Sequence, residues 1–364
     1  MTEHRPPKVL ISGAGLGGLM LAIILERARI PYHIYERAPS VKPLGAALGL
    51  NANILPVFDQ LGLLPELQKI AFPCTDLELC HETLRPIGAI DISGFKDNGI
   101  HLTNPLDPEK YPVLKDERCH FTTVIGHQKA HTWFTCSLPG NRISFIVAEQ
   151  LDENTAKEIA FRNAEWTPES NEKMINEVRH FPFKHARSEA EANGEKLVLG
   201  DLIDSTRPES ISKVFLEEKL FETWHDGRTV LIGDACHKMQ PSAGQGAVNA
   251  MEDAVVLANC LYDISSGKEP VTAERIAEAF RDYREQRYPH AKFQVQNSKE
   301  MARLLNGQTW MERLVRTLIY NLPTWLVSQK YLKQAGCRQQ IILMATAANT
   351  PDLEVYPQSH PNAI

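Results

Sequence analysis

The chain has 364 residues, 43% of them hydrophobic and 23% charged, with a formal net charge of −6. This is the balance of a soluble globular chain, long enough for one large domain or two ordinary ones, and its scattered Lys and Arg form no basic block that would mark a nucleic-acid face. No apolar run reaches the ~18 to 20 residues needed to span a bilayer.

The start, Met1 to Lys8, is polar and does not read as a secretory signal. Val9-Leu10-Ile11 is the short apolar run of a buried parallel strand. Gly13-Ala14-Gly15-Leu16-Gly17-Gly18 follows, then helical positions from Leu19 to Ala28, then a second strand, Tyr32 to Tyr35, ending in Glu36-Arg37. Gly13 permits a tight turn, Gly15 lets a pyrophosphate approach bare backbone, and Gly18 lets helix and strand pack closely. The helix N-terminus adds unpaired N–H groups and a positive dipole end. Glu36 stands where a carboxylate accepts hydrogen bonds from ribose hydroxyls, and its charge disfavours a 2′-phosphate there. The glycines alone would fit an ordinary turn; the strand, turn, helix, strand and acid in this order point to a dinucleotide.

Gly45 to Asn53 carries further glycines, among them Gly49, ahead of an amphipathic stretch from Ile54 to Gly62. Close approach to a ligand and a plain loop are both open readings. The middle is β-rich: Thr132 to Ser137 and Arg142 to Val147 flank Leu138-Pro139-Gly140-Asn141, a hairpin with Pro and Gly at the central turn positions. Trp133 and Phe145 fit either a pocket or a core.

Downstream, Thr229 to Ile232 reads as a buried strand closed by Gly233-Asp234, followed by Ala235-Cys236-His237, Pro241, Gly244-Gln245-Gly246-Ala247 and a helix from Met251 to Tyr262. Asp234 at a strand end is placed to accept hydrogen bonds from a polyol. The helix after Gly246 points its positive end at whatever lies above it, as the negative pyrimidine side of a reduced flavin requires. Toward the end, Met311, Leu314, Val315, Leu318, Ile319, Leu322, Trp325, Leu326 and Tyr331 recur near helical spacing around Pro323. This stripe fits packing on the domain, a membrane-interfacial helix, or a partner surface. Seven cysteines show no Cys-x-x-Cys pair and no metal-like spacing with histidine, which points to thiols in a reducing, cytoplasmic compartment.

Taken together, Gly13-x-Gly15-x-x-Gly18 with Glu36-Arg37, and Gly233-Asp234-Ala235-Cys236-His237 with Pro241, Gly244-Gln245-Gly246 and Glu252-Asp253-Ala254, resemble the class A flavoprotein monooxygenases. The resemblance covers residues 1–90 and 200–290. It implies an α/β fold: a Rossmann-type FAD-binding domain (1–95 and 222–290), an inserted β-sheet substrate domain (96–221), and a helical C-terminal region (291–364). It implies FAD as cofactor and NAD(P)H as co-substrate, with one oxygen atom from O2 hydroxylating or epoxidising an apolar or aromatic organic substrate. The implied cofactor-binding residues are Gly13, Gly15, Gly18, Glu36, Arg37, Gly49, Asp234, Pro241, Gly244, Gly246 and Ala247. Glu36 would hold the adenosine ribose, Asp234 the ribityl and pyrophosphate region, and Ala247 would lie at the isoalloxazine. Because the cofactor carries the chemistry, no catalytic side chain and no metal ligand is assigned. His237 reads as structural. A flavin-dependent reductase or halogenase of the same fold stays open.

The sequence departs from the family pattern between Ile87 and Thr123. The family's Arg-bearing helix and its Asp-Gly segment are absent; Arg118 and Asp97-Asn98-Gly99 do not match them, and Asp226-Gly227 reads as a turn. An internal segment is missing, which keeps open a truncated, FAD-deficient product.

Overall fold

The structure, a computed structural model, describes residues 8–39, 48–51, 53–91, 104–126, 131–149, 168–184, 197–211, 216–241, 244–267, 269–307, 309–323 and 340–343. β1 (Val9–Ser12) and β2 (Tyr32–Tyr35) pair in parallel, Val9 with Tyr32 through Ser12 with Tyr35, and α1 (Leu16–Arg27) is the crossover such pairing requires. α2 (Leu55–Gln60) and α3 (Leu64–Lys69) follow.

A five-stranded sheet comes next, built from β3 (Cys74–His81), β4 (Pro86–Asp91), β5 (Cys119–Ile125), β6 (His131–Leu138) and β7 (Arg142–Glu149) in the order β4-β3-β5-β6-β7. β3 and β4 lie within residues 1–95 of the chain, yet hydrogen-bond into the sheet of the 96–221 stretch, β3 running parallel to β5. The β6–β7 hairpin turns through Gly140 and Asn141, both left-handed at φ 74 and 57. α4 (Pro168–Val178) and α5 (Leu199–Asp204) belong with one face of this sheet, where Val124, Trp133 and Ile143 meet Phe181, Phe183, Leu199 and Leu202. Trp133 is core here: its indole N–H donates to the Pro182 carbonyl at 2.7 Å and its ring lies 4.7 Å from Phe181. Phe145 packs against the same core. The opposite face sets Leu79, Ile90 and Ile125 against Leu305 and Tyr320.

The second half returns to the first. β8 (Lys219–Leu220) pairs with β11 (His237–Lys238), and β9 (His225–Asp226) with β10 (Thr229–Val230). The strand expected over Thr229 to Ile232 is therefore shorter and half-buried, a hairpin arm turning at Gly227 (φ 52). α6 (Gly246–Ser266) is buried almost all round from Val248 to Leu261, as befits a central helix, and packs between α1 and α7 (Ala273–Asn306). Residues 340–343 dock on this half: Gln60 exchanges hydrogen bonds with the Ile341 backbone, and Asn259 with Gln340 and Ile342. Cys236 and Cys260 sit in this core and Cys80 in the sheet core.

Two surfaces go against burial. On β1 the Leu10 side chain is 63% exposed, and on α1 Leu16, Leu19 and Ile23 form an exposed apolar stripe; among the described residues β1 pairs only with β2. α8 (Trp310–Tyr320) is turned inside out: Met311, Leu314, Val315 and Leu318 face solvent, Ile319 packs inward, and Arg316 is buried. Trp325, Leu326 and Tyr331 of the expected stripe lie outside the described residues. No helix among the described residues is long and apolar enough to cross a membrane.

Candidate functional site

The first turn is built as an anion cradle. Gly13 has φ 105, a conformation that L side chains avoid, and its N–H donates to the Tyr35 carbonyl at 2.7 Å. A Cβ on Gly18 would overlap the Gly13 carbonyl oxygen, whereas one on Gly15 would meet nothing within 4 Å. Gly15 thus borders open space at the N-terminus of α1, which no side chain caps. Its first-turn N–H groups have no partner within the helix. Those features fit a pyrophosphate.

Glu36 ends β2 beside this turn. Its carboxylate accepts from the Ala38 N–H at 2.8 Å and the Ala14 N–H at 2.7 Å. Those two amides, with Arg37 alongside, hold its carboxyl below the usual range, so the group is an anion with lone pairs to spare for hydroxyls. The structure brings Gly13, Gly15, Gly18, Glu36 and Arg37 together at one end of the β1–β2 pair.

The second group gathers at the N-terminus of α6. Gly233 (φ 61) opens a short turn on which Asp234 is exposed, and its N–H donates into the interior, to Asp253 at 2.9 Å. Gln245, Gly246 and Ala247 are half-buried; Pro241 and Gly244 are exposed on the loop between, with Gly244 N–H donating to the Pro241 carbonyl. Gly49 is exposed on the loop after β2. Asn51, two residues on, donates from Nδ2 to Gln245 Oε1 at 3.0 Å, so the loop after β2 and the α6 N-terminus touch directly. α1 and the Gly233 turn are also fixed to each other through Ala250. A Cβ on Gly17 would come 3.0 Å from the Ala250 carbonyl oxygen, and one on Gly233 2.9 Å from the Ala250 side chain.

Beneath this second group lies a buried charge cluster. His237 donates from Nε2 to Asp253 Oδ2 at 2.6 Å, and Arg287 from Nε to Asp253 Oδ1 at 2.8 Å. Arg287 Nη1 is 2.9 Å from Glu252, and His290 is 3.5 Å from the same carboxyl. Burial opposes the Asp253 charge, but Arg287 and His237 outweigh it and hold the carboxyl at about 2. For Glu252 burial wins over Arg287 and the carboxyl is pushed up. Asp253 is therefore the resident anion and Glu252 the readily protonated neighbour. Cys236, His237 and Asp253 come within 4.8 Å of one another, a spacing that would suit a metal. Arg287 already neutralises the carboxylate, and burial pushes the Cys236 thiol far up, so the cluster works as an ion network instead.

His290 gives this cluster a pH dependence. Burial, then Arg287, drives its pKa down to about 3 from 6.5. Between those values the unfolded chain binds a proton that the folded one refuses, so stability is full above pH 6.5 and falls as pH drops toward 3. His290→Gln is expected to flatten urea-unfolding stability between pH 6.5 and 4; an unchanged slope would remove His290 from the account.

Asn51, Asn249, Ala250 and Arg287 stand outside the motifs, and Gln245 and Asp253 stand inside them with no binding role of their own. One signal was present: Tyr283, Arg287, His290, Gln294 and Ser298 recur on one face of α7, a polar stripe on a helix whose other residues on that side, Ile276, Ala279 and Phe280, are core.

Comparison with known proteins agrees with this architecture. The family model described as FAD binding domain matches residues 7–118 and 173–298, more than half the chain. The FAD-dependent monooxygenase janM of Penicillium janthinellum is 43% identical over 380 positions, covering 81% of this chain and 77% of that protein. The FAD-dependent monooxygenase adrH of Penicillium rubens is 24% identical over 392 positions, covering 91% and 85%. Both alignments are longer than the 364-residue chain, so these relatives carry residues with no counterpart here. Among solved structures, Klebsiella pneumoniae HpxO complexed with FAD and uric acid superposes with a TM-score of 0.61 at 16% identity, over 92% of this chain and 97% of that one. CtdE in complex with FAD and its substrate gives 0.60 at 14%, over 90% and 97%.

Proposed function

The chain belongs to the FAD binding domain family, among the FAD-dependent monooxygenases, and from that premise we propose how its own residues serve the reaction. Bound FAD supplies the redox chemistry, with NAD(P)H as reductant and O2 as the source of the oxygen atom. Gly13, Gly15 and Gly18 leave room for the pyrophosphate at the α1 N-terminus. Glu36, its charge held by two amides, takes the adenosine ribose, with Arg37 beside it. Asp234 accepts from the ribityl chain. Gly49, Pro241, Gly244, Gly246 and Ala247 form the wall at the flavin ring, where the α6 dipole favours negative charge. Residues 1–95 and 222–290 make the FAD domain, 96–221 the substrate domain, and 291–364 the C-terminal region. The substrate is a small apolar or aromatic organic molecule, hydroxylated or epoxidised.

The observation that carries this reading is the open space at Gly15 beside an ionised Glu36. The test is the visible spectrum of the purified protein with substrate-dependent NADPH consumption; a colourless protein that gains no flavin spectrum when FAD is added would sink it. Within the site, Asp234→Ala is expected to lose more flavin than Asp226→Ala, because Asp226 lies in the β9–β10 hairpin. Glu36→Ala is expected to weaken FAD binding roughly tenfold or more, the scale of a charged hydrogen bond to a ligand. Equal flavin content in the two Asp variants, or an unchanged Glu36→Ala dissociation constant, would displace those assignments.

The protein also meets a membrane surface from the cytoplasmic side through α8. The outward face of Met311, Leu314, Val315 and Leu318, with exposed Trp310 at its start, supports this. Leu314→Glu with Leu318→Glu should abolish co-sedimentation with phospholipid vesicles; if the unaltered protein never sediments, the contact does not exist.

A further inference from the structure

Arg287 lies on α7, outside both glycine motifs, and no part of it is exposed at the site. Its guanidinium nevertheless reaches three partners: Asp253 Oδ1 from Nε at 2.8 Å, Glu252 Oε2 at 2.9 Å from Nη1, and Asn249 Oδ1 from Nη2 at 3.0 Å. Nη2 also lies 3.3 Å from the Asn249 carbonyl. Two of these partners, Asp253 and Asn249, lead on to the loops of the proposed cofactor site. Asp253 accepts the Gly233 N–H and so fixes the turn that presents Asp234. Asn249 donates from Nδ2 to the Gln245 carbonyl at 2.9 Å, and Gln245 Oε1 accepts from Asn51. Asn51 Oδ1 in turn accepts the Asn53 N–H at 3.0 Å.

The contacts therefore branch from Arg287: through Asn249 and Gln245 to Asn51, and through Asp253 to the Gly233 turn. We infer that Arg287 is a positioning residue that holds three separate loops in register for FAD without touching it. The arrangement asks for arginine specifically. Three partners in three directions need the planar fork with its several N–H donors; a lysine ammonium is a single point and cannot reach them all. Burying a charge this deeply is poor value as plain stabilisation, since an apolar side chain of similar volume often does as well. Its return lies in registry: a shift of the Gly233 turn, the α6 N-terminus or the Asn51 loop breaks a contact that traces back to Arg287.

This rests on the FAD reading of the site, and the test separates the two. Arg287→Lys and Asn249→Ala are compared with the unaltered protein. FAD dissociation constants are measured by flavin fluorescence. Amide exchange of peptides covering Asn51 to Ile54, Gly233 to Cys236, and Gln245 to Asn249 is measured without FAD. Arg287→Lys should weaken FAD at least about tenfold, alter the visible bands of the flavin that remains, and speed exchange in all three loops together. Asn249→Ala should loosen the Gln245 and Asn51 loops while the Gly233 turn stays protected; if Arg287→Lys fails to fold, this pattern alone decides. An Arg287→Lys protein with a lower Tm but unchanged FAD affinity, spectrum and loop exchange would leave Arg287 a merely structural residue and overturn the inference. Should the unaltered protein bind no FAD, the site assignment itself falls, and the inference with it.

Discussion

Asp253→Ala is expected to lower the stability of the fold by about 3 to 5 kcal/mol, the usual cost of removing one partner from a buried ion pair. The carboxylate is fully buried and serves three groups at once: Arg287, His237 and the Gly233 N–H. Removing it leaves the Arg287 charge with a single acidic neighbour, Glu252, whose own carboxyl resists ionisation. It also leaves two buried donors without acceptors. Against a typical total of about 5 to 15 kcal/mol this is enough to unfold a large share of molecules. Asp253→Asn keeps an acceptor for Gly233 and should lose less. Urea unfolding of the flavin-free proteins measures both; a loss under about 1 kcal/mol for Asp253→Ala would mean that Glu252 takes over the charge. Acid should act in the same direction. The native Asp253 carboxyl lies at about 2 against 3.8 in the unfolded chain, so its stabilisation is present above pH 3.8 and is lost as pH falls toward 2.

Restoring the missing segment should have the second large effect. A chain carrying the extra residues of a longer relative between Lys96 and Thr103 is expected to be more stable than this one and to hold FAD at least about tenfold more tightly. The reason is the uncovered side of the first βα unit. Parallel strands are ordinarily buried on both faces and flanked by neighbours, yet β1 has one partner among the described residues and Leu10 is mostly exposed. Leu16, Leu19 and Ile23 continue the apolar surface along α1. Covering an aliphatic side chain fully is worth about 1.5 to 3 kcal/mol, so partial burial of four would add several. The same strand carries the turn that faces the pyrophosphate, so loosening at β1 passes straight to Gly13 and Gly15. Flavin content, urea stability and substrate-dependent NADPH consumption of the two chains decide the matter. Equal values would show that this chain is complete without the segment.

The readable parts of the sequence were those in which one local rule suffices. Glycine spacing, a strand before it and an acid after it placed the β1–α1–β2 unit to within a few residues, because Gly13 and Gly18 answer to turn geometry and close packing alone. The β6–β7 hairpin was legible from Pro139-Gly140 for the same reason. The strand over Thr229 to Ile232 is shorter than its pattern suggests: Thr229 and three apolar residues look like a sheet strand, but strand length depends on a partner that the local pattern does not encode. β3 and β4 could not be assigned to the five-stranded sheet either, since the pairing of β3 with β5 joins residues 74–81 to 119–125 across a long excursion. The site was read by its rim. Asp234 and Gly244 to Ala247 stand in motifs, whereas Arg287 becomes meaningful only once α7 crosses beneath α6.

The buried thiols give the molecule two internal clocks. Burial and neighbouring carboxylates push Cys80 to about 11 and Cys260 to about 12, so neither offers a nucleophilic thiolate at neutral pH while its surroundings stay closed. Alkylation must then wait for an opening event, and its rate counts such events. Cys80 times the opening of the sheet core, and Cys236 with Cys260 that of the core around α6. If the two halves open as one unit, both sets will be modified in step. If the half that carries the uncovered β1 edge opens alone, Cys260 will be labelled while Cys80 is still untouched.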